Sequence, residues 1–214
     1  MELDLIHIAM SMSVLAFSVI VHEIAHGYVA YRLGDPTAYM MKRLTFNPIN
    51  HIDPVGSILM PLLMLMTPHS SFLLAWAKPV PVNPGYFRHP RRDDILVSMA
   101  GVTVNMVLAV VAAIALRLLP LSQNEGLATL LYLLCSINVG LAVFNMVPIP
   151  PLDGSHVLAS FLSPQAARAY GQVAEYGFLI IIVLSGTGVL NSVIGPIMHG
   201  TMKLLLVFGT SQTL

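Results

Sequence analysis

Residues 5–34 read LIHIAMSMSVLAFSVIVHEIAHGYVAYRLG. The stretch is apolar except for a few polar residues and the pentapeptide HEIAH at 22–26. As a helix, residues 5–31 are long enough to cross a hydrocarbon core of about 30 Å. Gly34 and Pro36 follow and predict the end of that helix. The stretch therefore predicts a membrane helix that carries several ionisable side chains close together.

The composition supports a membrane location. The 214 residues are 56% hydrophobic and only 9% charged, whereas soluble domains contain about 25% charged residues. A mean hydropathy of +0.79 indicates an integral protein surrounded by the lipid bilayer. Ten basic and ten acidic residues cancel, so no nucleic-acid partner is expected. The single cysteine, Cys135, excludes an internal disulfide and a zinc site built from cysteines.

Other apolar runs predict further membrane helices. Spans are predicted at 95–116, 127–147 and 174–190, and residues 192–209 are either a last span or an interfacial helix. A short apolar helix is predicted at 154–162. The expected fold is an all-α polytopic membrane protein with about five to six membrane helices.

The segment between the first and second spanning helices is different. Its two apolar runs, 55–67 and 72–77, are each too short to cross a bilayer. Residues 76–84 read WAKPVPVNP, and three prolines exclude a helix and predict a short extended or β segment. We therefore expect residues 55–77 to form a re-entrant hairpin, which must pack on other helices or line a water-filled cavity.

The basic residues predict the topology. With a re-entrant hairpin, seven of the ten lie on one face of the membrane, and the positive-inside rule places that face in the cytoplasm. These residues are Arg32, Lys42, Arg43, Lys78, Arg88, Arg91 and Arg92. The N-terminus is then outside, and HEIAH lies nearer the cytoplasmic side.

HEIAH is an HExxH sequence. On a helix, His22 and His26 lie on one face, so both imidazoles can reach one zinc ion. Glu23 is then placed to take a proton from a water molecule activated by the metal. Ionisable residues are costly within a membrane, which favours a metal site over a buried polar patch, the alternative interpretation.

A catalytic zinc site needs a third protein ligand and an open fourth position. Asp153 is the best candidate, because the preceding Pro148-Ile149-Pro150-Pro151 forces irregular backbone at the inner end of a membrane helix. The residues alone leave a second interpretation open, in which Asp153 caps the helix predicted at 154–162.

Five segments in this order resemble the site-2 protease family of intramembrane zinc metalloproteases, and most of all its small prokaryotic members. They are HEIAHG at 22–27, RLTFNPINHIDP at 43–54, WAKPVPVNP at 76–84, AGVTVN at 100–105 and FNMVPIPPLDG at 144–154. The resemblance covers residues 14–160. It implies a single membrane-embedded metalloprotease domain over 1–214, without a PDZ-like or nucleotide-sensing CBS domain, in a prokaryotic inner or plasma membrane.

The resemblance also implies roles for individual residues. His22, His26 and Asp153 bind one Zn²⁺ per chain, and Glu23 is the general base. Asn105 is a candidate catalytic hydrogen-bond donor to the oxyanion. Asn145 either assists or satisfies backbone groups that the prolines leave free. For each asparagine an interhelical hydrogen bond is the alternative.

Two positions depart from the family pattern. Val102 replaces a frequent proline, and Ser155-His156 replaces a frequent Gly-Arg. Neither change removes a ligand. His156 lies one turn from Asp153, where it is a partner of the metal ligands, a pH-sensitive group or a solvated helix residue.

The expected reaction is hydrolysis of peptide bonds in single-span membrane proteins. A helical substrate must unwind first, and the extended segment can hold it by edge pairing through residues such as Leu74, Trp76 and Val80. Two alternatives remain at this stage. One is a metal-ion transporter, which should show repeat symmetry, and the other is a catalytically inactive relative that binds membrane helices.

Overall fold

The computed structural model describes residues 5–53, 56, 78–120 and 124–207. Within these ranges the chain is helical, and no described residue belongs to a β-strand. Eight α-helices are described: α1 Leu5–Arg32, α2 Thr37–Met40, α3 Pro90–Leu118, α4 Glu125–Asn145, α5 Asp153–Phe161, α6 Pro164–Gln172, α7 Ala174–Gly186 and α8 Val189–Val207. Two 3₁₀ turns, Pro48–His51 and Pro84–Tyr86, interrupt the loops.

Helix α1 agrees with its predicted bounds to within one residue. It ends at Arg32, and Gly34 follows with φ +109°, a conformation that side-chain-bearing residues rarely adopt. The buried carboxylate of Asp35 then accepts a hydrogen bond from the backbone N–H of Thr37 (2.9 Å), where α2 begins. It also accepts one from the backbone N–H of Asn83 (2.6 Å), so the loop after α1 is tied to the segment after the predicted hairpin.

Small side chains let the central helices approach closely. Helices α1, α3 and α4 pack against one another, and α5 packs against α3. Three alanines of α3 lie in a buried cluster with two residues of α4, and such small residues are typical of packed membrane helices. The members are Ala109, Ala112, Ala113, Cys135 and Val139. Helix α8 packs on α4 and α7.

Four described helices are long and apolar enough to cross a membrane: α1, α3, α4 and, for residues 189–206, α8. The pair α6 and α7 would count as a fifth span, but it bends by 59° where the two helices meet. The span predicted at 174–190 is thus only partly helical. Helix α7 ends at Gly186, and Gly188 has φ +76° before α8 begins. The described part therefore supports four or five spans, and the predicted count of five to six is not confirmed.

The predicted re-entrant hairpin over 55–77 lies outside the described residues. The extended segment is described only from Lys78 onward. Its residues 78–83 are not helical and not paired in a sheet, and Asn83 has extended backbone dihedrals (φ −115°, ψ 100°). Hydrogen bonds from the Lys78 N–H to the His51 carbonyl (2.9 Å) and from Arg43 Nη2 to the Lys78 carbonyl (2.8 Å) hold its first residue. The segment is thus anchored from one side by the loop after α1.

Candidate metal centre

Two histidines of α1 and one aspartate of α5 meet in the interior. His22 Nε2 and His26 Nε2 are 2.9 Å apart, and the Asp153 carboxylate oxygens lie 3.2 Å and 3.3 Å from them. All three donor atoms lie within 4.8 Å of one another. Both histidines are buried, and one turn of helix separates them, so their side chains leave the same face of α1.

The donor set fits a cation. His26 Nδ1 is 2.7 Å from the carbonyl oxygen of Val97, and a carbonyl can only accept, so that nitrogen carries the proton. Its Nε2 then presents a lone pair towards His22 and Asp153. Electron-pair donors facing one another in a buried space are expected where a metal ion binds. Two imidazole nitrogens and one carboxylate oxygen match a catalytic zinc site, which keeps its fourth position open.

Gly101 of α3 leaves room for the two imidazoles. A Cβ atom at this position would lie 2.5 Å from His22 Cε1 and 2.5 Å from His26 Nε2, closer than real Cβ contacts. Val97, which accepts the His26 hydrogen bond, lies one turn earlier on the same helix. Helix α3 thus supplies both the space for the histidine rings and the carbonyl that orients one of them.

Asp153 reaches the histidines from an irregular, proline-rich connection. Helix α4 ends at Asn145, and α5 begins at Asp153 itself with Leu152, not Asp153, at the N-cap. The capping interpretation of Asp153 therefore does not describe this structure. The two carboxylate oxygens of Asp153 face the ring nitrogens of His22 and His26, where they can act as ligands to the same cation.

The connection is packed tightly from two sides. A Cβ on Gly154 would overlap the Met146 carbonyl, and a Cβ on Gly177 of α7 would overlap the Pro150 carbonyl. The Tyr170 hydroxyl donates to the Pro148 carbonyl at 2.8 Å. The peptide bond between Pro150 and Pro151 is cis. These contacts were not predicted from the sequence, because neither a glycine nor a tyrosine indicates which distant backbone group it will pack against.

Glu23 lies beside the three-residue group and points to the extended segment. Its Oε2 accepts a hydrogen bond from the backbone N–H of Val80 at 2.7 Å. Val80 is itself buried. The carboxylate is therefore held on one oxygen by the backbone, which leaves the other oxygen for a different partner.

The metal group and Glu23 line a cavity of about 560 Å³. Its walls include His22, Glu23, His26 and Asp153, together with residues of the extended segment, of α3, of α5 and of α7. Phe178 and Ile181 of α7 supply an apolar part of the wall. The cavity is large enough for a short stretch of polypeptide beside the metal group.

His156 and Asp94 also line this cavity and contact each other. His156 Nδ1 is 3.5 Å from Asp94 Oδ2. The contact with Asp94 raises the pKa of His156 above its usual value. Asp94 was missed in the sequence, because an acidic residue in the first turns of a helix is common there for electrostatic reasons alone.

Comparisons with known proteins identify the family to which this chain belongs. A family model described as peptidase family M50 matches residues 120–185. YwhC of Bacillus subtilis, which carries the provisional name of a zinc metalloprotease, is 36% identical over 205 residues, which are 91% of this chain and 88% of YwhC. The chain belongs to the site-2 protease family, peptidase family M50.

More distant site-2 protease relatives are longer than the matched region. Rip2 of Mycolicibacterium smegmatis, also provisionally named a zinc metalloprotease, is 30% identical over 177 residues, 81% of this chain and 65% of Rip2. Zinc metalloprotease MJ0392 of Methanocaldococcus jannaschii is 23% identical over 201 residues, 91% of this chain and 46% of its own length. No solved structure matches.

The family membership identifies the chain as a zinc metalloprotease and, with its apolar helices, as an integral membrane protein. The resemblance inferred from the five sequence segments is thereby confirmed. The relatives are named as proteases, which does not favour the metal-transporter alternative. The names of the relatives imply zinc as the metal. Among the described residues, His22, His26 and Asp153 form a group that could hold a metal ion.

The other predicted site residues fall in different places. Asn145 and Val80 line the cavity, and the Asn145 amide donates to the Leu141 carbonyl at 3.0 Å. Asn105 is fully buried one turn from Gly101, is absent from the cavity wall, and neither of its amide atoms contacts a described partner. Leu74 and Trp76 lie outside the described residues. The catalytic or substrate-binding roles of these residues stay predictions.

We expect Gly101→Ala to weaken zinc binding, because the added methyl group would displace one or both imidazoles. Changes next to metal ligands typically cost about 10–100-fold in affinity. Zinc affinity is measured by competition with a chelator on the purified protein in detergent. Gly200→Ala is the matched control, since a Cβ at Gly200 would meet nothing within 4 Å. Equal affinity for the two variants would contradict the packing argument.

Proposed function

We propose that this chain is an intramembrane zinc protease that hydrolyses peptide bonds within or near the transmembrane segments of single-span membrane proteins. One observation carries the proposal. The histidines and the glutamate of the metal centre lie on α1, a helix long and apolar enough to cross a membrane. Such a location is costly for ionisable groups unless it serves a function at that depth.

The proposed roles follow the geometry. His22, His26 and Asp153 hold one zinc ion per chain, and their close approach supports this assignment. When bound, zinc would supply Lewis acidity that polarises a peptide carbonyl and acidifies a water molecule. Glu23 is proposed to take a proton from the attacking water with its free carboxylate oxygen and later to deliver that proton to the leaving amine. The Val80 N–H keeps the other oxygen in place during both transfers.

The substrate is proposed to bind along the extended segment. Val80, Pro79 and Val82 line one side of the cavity, so an unwound stretch of substrate would lie beside Glu23. Leu74 and Trp76 are proposed to continue this surface. Asn145, on the wall of the cavity, has an amide oxygen that can accept a hydrogen bond from the substrate backbone.

We expect Glu23→Gln to abolish cleavage of a model single-span substrate while zinc content stays unchanged. A general base contributes about 10²–10⁴-fold to a proton-transfer step, and glutamine cannot accept the proton. Cleavage and zinc content are measured side by side in detergent. Glu125→Gln, the same change at the exposed start of α4, is the matched control. Cleavage by Glu23→Gln at the rate of the control would remove Glu23 from the mechanism, and a zinc-loaded wild type that cleaves nothing would support an inactive relative.

Val80→Pro should reduce cleavage without loss of zinc, because proline removes the N–H that Glu23 accepts. A hydrogen bond to a charged group contributes about 1.5–3 kcal/mol, which corresponds to a rate loss of roughly 10–100-fold. Val80→Ala keeps the N–H and shortens the side chain, so it is the matched control. If the proline and alanine variants cleave at the same rate, the extended segment does not orient Glu23 or hold substrate through this group.

We also propose that the metal centre lies nearer the cytoplasmic side of a prokaryotic inner or plasma membrane. Arg32 at the end of α1 and Arg91 at the start of α3 lie at the end of the helices near the metal group, where basic residues are expected inside. The opposite end carries the start of α4.

Labelling with a membrane-impermeant maleimide tests this orientation. Arg91→Cys should react only in inverted membrane vesicles, and Glu125→Cys only in intact cells. The natural Cys135 is fully buried and gives little background. The reverse pattern would place the metal centre on the outer side.

A further inference from the structure

The ion pair of His156 and Asp94 has no role in the mechanism described so far, although both residues line the cavity around Glu23 and the metal group. The side chain of His156 is 56% exposed and that of Asp94 is 25% exposed. His156 is therefore open to a molecule in the cavity. A purely structural ion pair between two helices would not need to face this space.

The helices that carry the pair are the same ones that support the metal group. On α5, His156 lies three residues after Asp153, so both side chains leave the same face of the helix. On α3, Asp94 lies three residues before Val97 and seven before Gly101, again on one face. The Val97 carbonyl binds His26, and Gly101 packs against both histidines. The position of His156 relative to the metal group is thus set from two sides.

The contact with Asp94 leaves one ring nitrogen of His156 for a ligand. Asp94 Oδ2 faces Nδ1, which then carries a proton and orients the ring. No described residue contacts Nε2 at hydrogen-bond distance. Once the ring is charged, both nitrogens are donors, and Nε2 can donate to an oxygen in the cavity.

The reaction needs such a donor. When water attacks a peptide carbonyl, negative charge builds up on the carbonyl oxygen, and a donor already in place stabilises it. Asn105 is the donor that the family resemblance suggests, but it is fully buried and absent from the cavity wall. His156 lies in the wall of the cavity, and more than half of its side chain is exposed.

We propose that His156 is a catalytic residue that donates a hydrogen bond from Nε2 to the carbonyl oxygen of the scissile peptide, and that Asp94 is a positioning residue for the His156 ring. The proposal rests on the proteolytic function proposed above. No bond to His156 forms or breaks, since the residue only stabilises the charge that develops on the substrate oxygen.

The test compares His156→Ala, His156→Phe and His156→Gln with the wild type. Phenylalanine fills the space without a donor, and glutamine restores a donor amide. His199→Ala, which removes an exposed histidine of α8 outside the cavity wall, is the control. For each protein, zinc content, kcat and KM on the model single-span substrate, and the Kd of a phosphinic peptide are measured. The phosphinate group mimics the tetrahedral, negatively charged state of the attacked peptide.

Removal of one oxyanion donor typically costs roughly 10²–10³-fold in kcat. We expect the alanine and phenylalanine variants to show such a loss with unchanged zinc content, and the KM to change much less. The phosphinic peptide should bind more weakly by a similar factor, because it resembles the transition state. Glutamine should recover part of both losses, and His199→Ala should behave as the wild type.

Asp94→Asn tests the positioning role. It should lower kcat less than His156→Ala does, and it should have no further effect when His156 is already alanine, as expected for residues that act as a unit. A loss in Asp94→Asn that persists in the double variant would show that Asp94 acts by another route.

Three results overturn the proposal. One is full kcat in the zinc-loaded alanine or phenylalanine variant, and another is loss of zinc from both, which would assign the pair to support of the metal group. In either case the proposed proteolytic function still holds if the wild type cleaves the substrate and the Glu23→Gln variant does not. In the third, a zinc-loaded wild type neither cleaves the substrate nor binds the phosphinic peptide, and the proposed function fails together with this inference.

Discussion

The interaction on which the structure depends is the meeting of His22, His26 and Asp153 inside a bundle of apolar helices. Polar groups removed from water are costly unless they have partners. Neighbouring elements supply hydrogen bonds to two of the ionisable residues and space for the histidine rings. The Val97 carbonyl binds His26, the Val80 N–H binds Glu23, and Gly101 leaves the space that the rings occupy. These contacts join α1 to α3 and to the extended segment.

Much of the helical architecture could be predicted, because apolar length and helix-ending residues are local signals. Helix α1 agrees with its predicted bounds, whereas α3 begins at Pro90, five residues before the predicted start. Proline at the first helical position favours the start of a helix. The charged residues that follow it are not part of the apolar run, so the prediction from that run began too late. Helix α6 was not predicted at all. It is short and polar, and the side chain of Ser163 caps it by accepting from the Ala166 N–H at 3.3 Å.

The candidate site also has features that could be predicted from the sequence and features that could not. The spacing of His22 and His26 on one helix predicts that both rings face the same side. In the structure their Nε2 atoms lie next to each other. The direction of the Asp153 side chain could not be predicted from the local sequence. The same residues are compatible with an aspartate that caps a helix and with one that points towards the histidines. The direction depends on how α5 packs against α3. The His156–Asp94 contact is equally a product of tertiary packing, since residues so far apart in sequence give no spacing signal.

The close approach of Gly177 to the Pro150 carbonyl couples two parts of the molecule mechanically. Helix α7 contacts the backbone of the proline-rich connection at Pro150, three residues before Asp153. Phe178 and Ile181 of the same helix line the cavity. Tightly packed interiors transmit displacement rather than absorb it. A polypeptide that pushes this wall aside as it enters therefore also presses on the backbone that carries the aspartate. Entry of a polypeptide into the cavity and the position of the Asp153 carboxylate are therefore coupled.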